Sequence, residues 1–323
     1  MTDRRIPINK CKLVSVIIPS YNRKDTVSQT INSILNQKCD FDFEIVIGDD
    51  CSTDGARELL KEYQQQFPDK IRLIFHDKNI GLAANWATCV KHCEGKYIAN
   101  CDNDDYWHNE NKLQMQVDFM EQNPNVGMCH TNYRVHDRKK NTIKEVEASK
   151  DTKHGVALQK KVFGSDFKCC NASVLYRADI LKKHIDLDDY IKYQFTLQDW
   201  NTWIILAAYT DFYCLQESTA TFGVETVSIT RPDSYEKVLK RFEKERECYK
   251  YVCDMFPDVF PYNKEEYDDY IKKVLFNLAI KKNDFSKAKE LYKINELKGV
   301  KKLAMLNKLS FSLFSVLKKL KNR

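Results

Sequence analysis

The first hundred residues alternate between short apolar runs and longer segments in which apolar residues recur at helical spacing. The runs predict β-strands, and the spaced segments predict helices of ten or more residues. The predicted strands are 13–18, 43–47, 71–75 and 96–101, and the predicted helices are 25–37, 55–66 and 82–93. Strands that alternate with helices of this length form βαβ units around a parallel, doubly wound sheet. We therefore expect an α/β fold whose ligand site lies where the strands end.

The pattern changes after residue 125 and again near residue 232. Strands are predicted at 126–133, 171–177 and 212–215, helices at 178–184 and 198–209, and a polar loop at 137–155. From residue 234 the pattern is almost wholly helical, with helices predicted at 235–254 and 264–295. We therefore expect residues 1–232 to form a mixed sheet flanked by helices. Residues 233–323 are expected to form a helical C-terminal extension.

Composition places the chain among ordered proteins. Of 323 residues, 43% are hydrophobic and 12% aromatic, which is enough for a large core and excludes general disorder. No apolar run is long enough for a membrane span, and no apolar segment of the kind found in signal peptides follows the first residues. The twelve cysteines include no CxxC pair and no zinc-type spacing, so we expect reduced thiols and a cytoplasmic location.

Positive charge is concentrated at the C-terminus. Residues 298–323 contain eight basic and no acidic residues, and their leucines recur at helical spacing. A basic amphipathic helix suits an anionic membrane surface, although it also fits a helix packed on protein. The net charge of +6 is otherwise modest, and no nucleic-acid-binding motif is present, so we expect no nucleic-acid partner.

Acidic residues follow two predicted strands and begin one predicted helix. Asp102 and Asp104 are two residues apart, so that on an extended chain they share a face, as two ligands of Mg²⁺ or Mn²⁺ would. Asp49 and Asp50 follow another strand, where a carboxylate can accept a hydrogen bond from a nucleobase. Asp199 begins an apolar helix, where it could act as a general base. Solvated turns and helix N-caps explain the same residue types, and the residues by themselves leave both interpretations open.

Taken together, five motifs in this order resemble the family 2 glycosyltransferases, which have the GT-A fold and use nucleotide-sugar donors. The similar segments span about residues 13–230 and comprise Val14–Arg23, Glu44–Asp54, Asn79–Gly81 with Ala84–Asn85, Gly95–Trp107 and Leu197–Trp200. Two departures stand out. Cys51 replaces the usual Gly of the "DDGSTD" loop, and Gln198 replaces the Glu of the "E-D" motif, so Asp199 lacks a like-charged neighbour that can raise its pKa.

The resemblance implies a role for each matched position. The residues implied to bind the nucleotide-sugar are Pro19, Tyr21, Asn22, Asp49, Asp50, Asn85, Asp102 and Asn103. Asp104 and Asp102 would hold a divalent cation, Mn²⁺ or Mg²⁺, on the diphosphate, with Asp105 helping to shape the site. Asp199 would be the catalytic base. Ser173, Arg177 and Trp200 would lie on the acceptor side, although a strand residue, a surface charge and a core ring explain them equally.

The implied reaction is sugar transfer, with inversion, from a nucleotide-diphosphate sugar to a hydroxyl of a glycan or lipid-linked acceptor. A UDP-sugar is the first expectation for the donor, and surface polysaccharide synthesis is the expected setting. The enzyme would then work in the cytoplasm, and its tail could contact the inner face of the cell membrane. Two other classes remain open: a nucleotidyltransferase, and a non-catalytic binding protein on a degenerate transferase fold. His130 and His136 are further site candidates, although structural histidines fit the pattern better.

Overall fold

A computed structural model describes residues 12–150, 152–164, 166–224 and 234–292, together with Ser315. The chain divides into two compact units between residues 226 and 227. The predicted boundary at residue 232 and, apart from Ser315, the basic tail at 298–323 lie outside the described residues.

The strands are β1 (Val14–Ser20), β2 (Phe43–Asp49), β3 (Ile71–Phe75), β4 (Tyr97–Asn100), β5 (Tyr106–Trp107), β6 (Val126–Asp137), β7 (Thr142–Val146), β8 (Leu175–Arg177) and β9 (Asp211–Val224). The helices of the first unit are α1 (Lys24–Leu35), α2 (Ala56–Gln66), α3 (Leu82–His92), α4 (Lys112–Gln122), α5 (Val156–Phe163), α6 (Ala178–His184), α7 (Leu187–Tyr193) and α8 (Gln198–Leu206), and a 3₁₀ turn spans Asn171–Ser173. The second unit contains α9 (Tyr235–Met255), α10 (Lys264–Lys282) and α11 (Phe285–Leu291).

These strands form one mixed sheet. Its order is β3-β2-β1-β4-β8-β6-β9-β5, and β7 pairs with β6 outside this path. β1 to β4 run parallel, β8 is antiparallel to β4 and β6, and β6 runs parallel to β9. The parallel prediction therefore applies to the first four strands, and the expected mixed sheet with flanking helices is confirmed.

Burial explains why the first strands were recognisable from sequence. Every residue of β1 and β2 is buried, as expected for parallel strands covered on both faces. Both strands are therefore mostly apolar without regular alternation, and their buried Ser15 and Glu44 form a hydrogen bond with each other. On one face their side chains pack against Val27, Ile31 and Ile34 of α1. This packing fixes the carboxyl ends of the parallel strands relative to one another.

Two predictions for the middle of the chain are wrong in part. The predicted loop at 137–155 contains β7, which pairs with β6 through a turn in which the amide N–H of Lys140 donates to Asp137. β7 is exposed along most of its length, so it lacks the apolar alternation that marks a half-buried strand. The strand predicted at 212–215 is longer than expected and extends from Asp211 to Val224 as β9.

The second unit is helical in its described part, as predicted, but the helix expected at 264–295 is interrupted. Asn283 ends α10 with a φ of 60°, and the Asp284 side chain accepts a hydrogen bond from the amide N–H of Lys287 at the start of α11. Asn in the left-handed region and Asp at an N-cap are the usual signals for such a break. None of the helices in the described residues is long and apolar enough to cross a bilayer.

One lysine of the first unit is fully buried. The ammonium of Lys112, in α4, lies 4.2 Å from the centroid of the Trp107 ring and donates to Gln116 Oε1 at 2.7 Å. Burial lowers its pKa to about 8, because an ammonium group loses hydration in the core. Lys112 therefore weakens the fold at neutral pH, where it is largely charged.

We expect Lys112→Met to be more stable than the wild-type protein at pH 7, and this advantage to shrink as the pH rises. Between pH 8 and about 10.5 the unfolded chain binds the proton that the folded protein has released, so wild-type stability increases with pH. The expected change in the difference is roughly 2–3 kcal/mol between pH 7 and pH 10. Chemical denaturation of both proteins across this range measures it, and a constant difference would contradict the burial argument.

Gly95 precedes β4 at a close approach of two backbones. A Cβ atom there would lie 2.6 Å from the Ser15 amide nitrogen and 2.9 Å from the Tyr97 carbonyl oxygen. We expect Gly95→Ala to destabilise the protein by roughly 1–3 kcal/mol, because backbone atoms in a packed sheet cannot move aside cheaply. Thermal unfolding measures the effect. Gly164→Ala is the control, since its Cβ would meet only the Lys160 carbonyl oxygen at 3.2 Å and the end of a side chain, and equal melting temperatures would refute the prediction.

Candidate functional site

Three parallel strands bring their carboxyl ends to one edge of the sheet. β1 pairs Ser20 with Asp49 of β2, and its other neighbour β4 ends at Asn100. The segments that follow these strands contain the predicted site residues Tyr21, Asn22, Asp50, Asp102, Asn103 and Asp104. The sheet therefore gathers segments that are up to 80 residues apart in the sequence.

Asp49 and Asp50 point to different partners. One Asp49 carboxylate oxygen accepts from Arg57 Nε at 2.7 Å and from the Ser52 amide at 3.2 Å, which ties β2 to α2. The Asp50 carboxylate accepts from the amides of Ile80 and Gly81 at 2.6 and 2.9 Å. Asp49 is thus a structural anchor in this geometry, and Asp50 shapes the loop before α3 at the sheet edge.

The residue after Asp50 is a cysteine, where the resemblance leads one to expect glycine. The backbone conformation at this position shows why glycine would suit it. Cys51 has a φ of 63°, in the left-handed region that glycine adopts without steric cost. A non-glycine residue in this conformation carries backbone strain of roughly 1 kcal/mol or more. Its Sγ lies 3.6 Å from the Asp77 carbonyl oxygen, which holds the thiol against the neighbouring loop.

The other predicted nucleotide residues differ in how accessible they are. Tyr21 is 46% exposed and offers an aromatic face at this edge, whereas Pro19 is buried within β1. Asn22 is half-buried, with a φ of 48°, and its side-chain oxygen accepts from the Thr53 amide. Asn85 is 1% exposed, donates to the Gly48 carbonyl and contacts His76 Nε2 through Oδ1. Its position fits a brace between α3 and β2 and does not fit a direct nucleotide contact.

The loop after β4 holds three carboxylates within four residues. Burial and the nearby charge of Asp104 raise the pKa of Asp102 to about 7, and the charge of Asp199 adds to this shift. The pKa of Asp105, which is 1% exposed, is raised well above its usual range by burial and then by Asp102 and Asp104. One Asp105 oxygen accepts from the Gly223 amide, and the other has no hydrogen-bond partner within the described chain.

Two threonines of helix α1 hold this loop in place through hydrogen bonds to its backbone. Thr26 Oγ1 donates to the Asn103 carbonyl at 2.7 Å, and Thr30 Oγ1 donates to the Asp105 carbonyl at 2.6 Å. Asn103 itself is largely buried and donates from Nδ2 to Ser20 Oγ. These bonds fix the backbone between the carboxylates, so their mutual repulsion cannot open the loop.

The carboxylates of Asp102 and Asp104 fit a hard divalent cation. Both offer oxygen ligands, and a cation would offset the Asp104 charge that, after burial, raises the pKa of Asp102. In the described part of the chain no three His, Cys, Asp or Glu residues are grouped as a complete metal site. Two carboxylates alone suit Mg²⁺ or Mn²⁺ when substrate phosphates provide further ligands.

Sequence reasoning missed Asn171. Its Nδ2 donates to Asp102 Oδ2 at 3.2 Å, and its Oδ1 accepts from Asn100 Nδ2 at 2.9 Å. Asn100 Oδ1 in turn accepts from Trp86 Nε1 at 3.2 Å. This chain of hydrogen bonds orients Asp102 from the core. Only the asparagine in a short turn signals it in the sequence, which is too weak to identify the contact.

Asp199 lies in the first turn of α8. It is half-buried and not the N-cap, which is Leu197, and its Oδ1 accepts from the Trp200 amide at 2.8 Å. Burial raises the pKa of Asp199, and Asp199 contributes to the electrostatic environment of Asp102. Its neighbour Gln198 is 3% exposed, and Gln198 Oε1 has no hydrogen-bond partner in the described residues.

The structure does not bring the three acceptor-side candidates together. Arg177 pairs in register with Tyr97, at the start of β4, and donates to the Val126 and Asn123 carbonyls, so it lies at the opposite edge from Asp102. The prediction for Arg177 fails because β8 runs antiparallel to β4. Ser173 is fully buried and donates to the Cys170 carbonyl, which removes it from any acceptor surface.

Trp200, His130 and His136 each pack against other aromatic side chains. Trp200 Nε1 donates to the Val162 carbonyl, and its ring packs 5.5 Å from Phe163, so it joins α8 to α5. His130 is completely buried against Phe167, and burial lowers its pKa to about 3. His136 lies edge-on to Tyr106 at 6.4 Å.

Known proteins share parts of this sequence. The chain is 39% identical over 108 residues to the putative teichuronic acid biosynthesis glycosyltransferase TuaG of Bacillus subtilis, over 33% of this chain and 42% of TuaG. It is 36% identical over 123 residues to the UDP-Glc:alpha-D-GlcNAc-diphosphoundecaprenol beta-1,3-glucosyltransferase WfgD of Escherichia coli, over 38% of this chain and 46% of WfgD. An uncharacterised protein of Mycobacterium tuberculosis is 32% identical over 122 residues, which are 38% of this chain and 35% of that protein. The chain thus matches less than half of the length of each of these relatives.

Solved structures and a family model cover more of the chain. The crystal structure of residues 1–349 of TarS from S. aureus in complex with UDP matches 85% of this chain and 82% of that one, with a TM-score of 0.52 and 17% identity. This likeness shows a shared fold and confirms the expected GT-A architecture. Residues 15–185, just over half of the chain, match the model named glycosyl transferase family 2. The chain therefore belongs to glycosyl transferase family 2.

Proposed function

We propose that this protein transfers a sugar from a nucleotide-diphosphate sugar to a hydroxyl group of a glycan or lipid-linked acceptor, with inversion at the sugar. The observation that supports this most directly is the meeting of Asp102 and Asp104, in the loop after β4, with Asp199 of α8, whose charge acts on Asp102. The names of TuaG and WfgD, and the UDP bound to TarS, agree with a donor and a pathway of this type. Surface polysaccharide synthesis is the proposed setting.

The donor would lie across the ends of β1, β2 and β4. Tyr21 is exposed for stacking on a nucleobase. Asp50 is 2% exposed and its carboxylate already accepts from the Ile80 and Gly81 amides, so it would act by shaping the loop beside the base. Asp104 and Asp102 would hold a divalent cation, Mn²⁺ or Mg²⁺, which when bound supplies positive charge to the leaving diphosphate. Asp49 and Asn85 would act indirectly, by fixing α2 and α3 against β2.

Asp199 is the proposed general base. Its carboxylate would take the proton of the acceptor hydroxyl as the oxygen bonds to the anomeric carbon and the bond to the diphosphate breaks. Burial raises the pKa of Asp199, which makes it a better proton acceptor than an exposed aspartate. An attack on the face opposite the leaving group inverts the anomeric centre in a single displacement.

The cell location is proposed from the same chemistry. Nucleotide sugars are cytoplasmic substrates in the proposed pathway, and a lipid-linked acceptor would be presented at the inner face of the membrane. The basic residues at 298–323, whose structure is outside the described residues, would then provide a peripheral contact to anionic lipid.

Calorimetry with a panel of nucleoside diphosphates, with and without Mn²⁺, tests the donor site. We expect one nucleotide, UDP first, to bind more tightly when Mn²⁺ is present. Asp104→Asn should abolish most of this metal-dependent gain, because an amide is a poorer ligand for a hard cation. Asp118→Asn, on the exposed face of α4, is the matched control and should bind as the wild type does. Absence of binding for every nucleotide would favour a degenerate, non-catalytic fold.

Asp199→Asn separates binding from chemistry. We expect the variant to bind the donor within about threefold of the wild type, while sugar transfer to a lipid-linked acceptor falls by roughly 10²- to 10⁴-fold. The reason is that the amide keeps the shape of the side chain and cannot accept the proton. Asp188→Asn is the control, because this side chain is 85% exposed in α7. Transfer at the wild-type rate by Asp199→Asn would exclude Asp199 as the base.

A further inference from the structure

A basic cavity lies beside the carboxylate loop, between the start of α1 and the end of β6. Its volume is about 350 Å³, and its walls include the cationic side chains of Arg23, Lys24 and Arg138. Asp25 and Asp54 also line it. Neither the family motifs nor the catalytic proposal gives these cations a function.

The carboxylate of Asp54 already accepts hydrogen bonds from the backbone. Asp54 Oδ2 accepts from the amide of Lys24 at 2.9 Å, and Asp54 Oδ1 accepts from the amide of Ala56 at 3.0 Å. Asp54 therefore satisfies backbone donors at the starts of both α1 and α2. An anion in the cavity would meet the guanidinium groups and not an uncapped helix end.

The two arginines are held differently. Arg138 Nη2 donates to the Asp104 carbonyl at 2.9 Å and Arg138 Nη1 donates to Gln29 Oε1 at 3.1 Å, so Arg138 is tied to the loop and to α1. Arg23 Nε lies 3.5 Å from Asp104 Oδ2, and the two side chains are 36% and 23% exposed. This distance exceeds that of a good hydrogen bond, and a partly exposed ion pair of this kind adds little stability. The ion pair between Arg23 and Asp104 can thus be broken at little cost in stability.

The charges around Asp104 indicate what could displace Arg23 and which group its guanidinium would then contact. Without a ligand, the Arg23 guanidinium offsets part of the negative charge of the loop after β4, which contains Asp102, Asp104 and Asp105. A divalent cation on Asp104 would compete with Arg23 for the same carboxylate. A diphosphate arriving with the cation would in turn attract the displaced guanidinium, which forms strong charge-assisted hydrogen bonds with phosphate.

We propose that Arg23 is a phosphate-binding residue that pairs with Asp104 in the free protein and transfers to the donor's diphosphate when a divalent cation occupies Asp104. The inference rests on the proposed function. Arg138 keeps its contacts to the loop backbone and forms the fixed wall of the cavity. Arg23 therefore couples metal loading to donor binding, because each event favours the other.

The test is Arg23→Gln, studied by two binding measurements that should move in opposite directions. Mn²⁺ binding to the nucleotide-free protein, measured by electron paramagnetic resonance, should become tighter by roughly two- to fivefold, because a competing cation is removed. UDP binding in the presence of saturating Mn²⁺, measured by calorimetry, should weaken by roughly tenfold or more, because a charge-assisted contact is lost. Arg23→Lys keeps the charge, so its Mn²⁺ affinity should stay near wild type, with UDP affinity between the two.

Arg72→Gln is the matched control. Arg72 is 39% exposed, pairs with Glu94, and lies in β3 away from the carboxylate loop, so its loss changes the net charge equally and should leave both affinities unchanged. Thermal unfolding of each variant verifies that the fold is intact. If Arg23→Gln weakens Mn²⁺ and UDP binding together, Arg23 merely supports the loop and the proposal is wrong.

The remaining outcomes are also decisive. Unchanged UDP affinity in Arg23→Gln overturns the transfer to the diphosphate, whether or not Mn²⁺ affinity rises, and leaves the acceptor's phosphate as the anion to examine. A wild-type protein that binds no nucleoside diphosphate refutes the proposed function itself. A wild type that binds UDP with Mn²⁺ while Arg23→Gln behaves identically refutes only the function assigned to Arg23.

Discussion

Crowding of negative charge after β4 is the constraint on which this site depends. Carboxylates placed this close repel one another, and in a mobile loop they would separate. Hydrogen bonds from Thr26 and Thr30 of α1 hold the intervening backbone, and Asn171 orients Asp102 from the other side. The fold thus keeps a repulsive arrangement in place, and burial together with the nearby charge of Asp104 raises the pKa of Asp102. The backbone of this loop is thus already held in place when positive charge binds.

The central strands of the sheet could be predicted from the sequence because they are buried on both faces. β1 and β2 form apolar runs with no exposed position, and the intervening helix α1 shows its buried stripe clearly. β7 was missed for the opposite reason, since it pairs in the sheet but covers no core. Hydrophobic pattern reports burial, and it detects a strand only where pairing and burial coincide.

Predictions for the site residues were likewise limited to what a local sequence pattern can report. Residues just beyond a parallel strand, such as Asp50 and Asp102, could be placed because such strands end at a common edge. The resemblance suggested an acceptor-side position for Arg177, but β8 runs antiparallel to β4, so Arg177 lies beside Tyr97 at the start of β4. Asn171 was missed because its contact with Asp102 joins residues that are 69 positions apart. Direction and distant contacts depend on topology, which no local pattern contains.

Cys51 has a consequence for chemical biology. Most cysteines of the described chain are buried, and burial raises the pKa of thiols such as Cys89 and Cys129, which makes them slow to react. Cys51 is partly exposed and directly follows Asp50, in a turn that other members of the family usually make with glycine. A small electrophile or a fluorescent maleimide attached there would sit beside the sheet edge at which β1, β2 and β4 end. The same substitution that strains the turn thus provides a point of covalent attachment for labels or inhibitors that a glycine-bearing relative would not share.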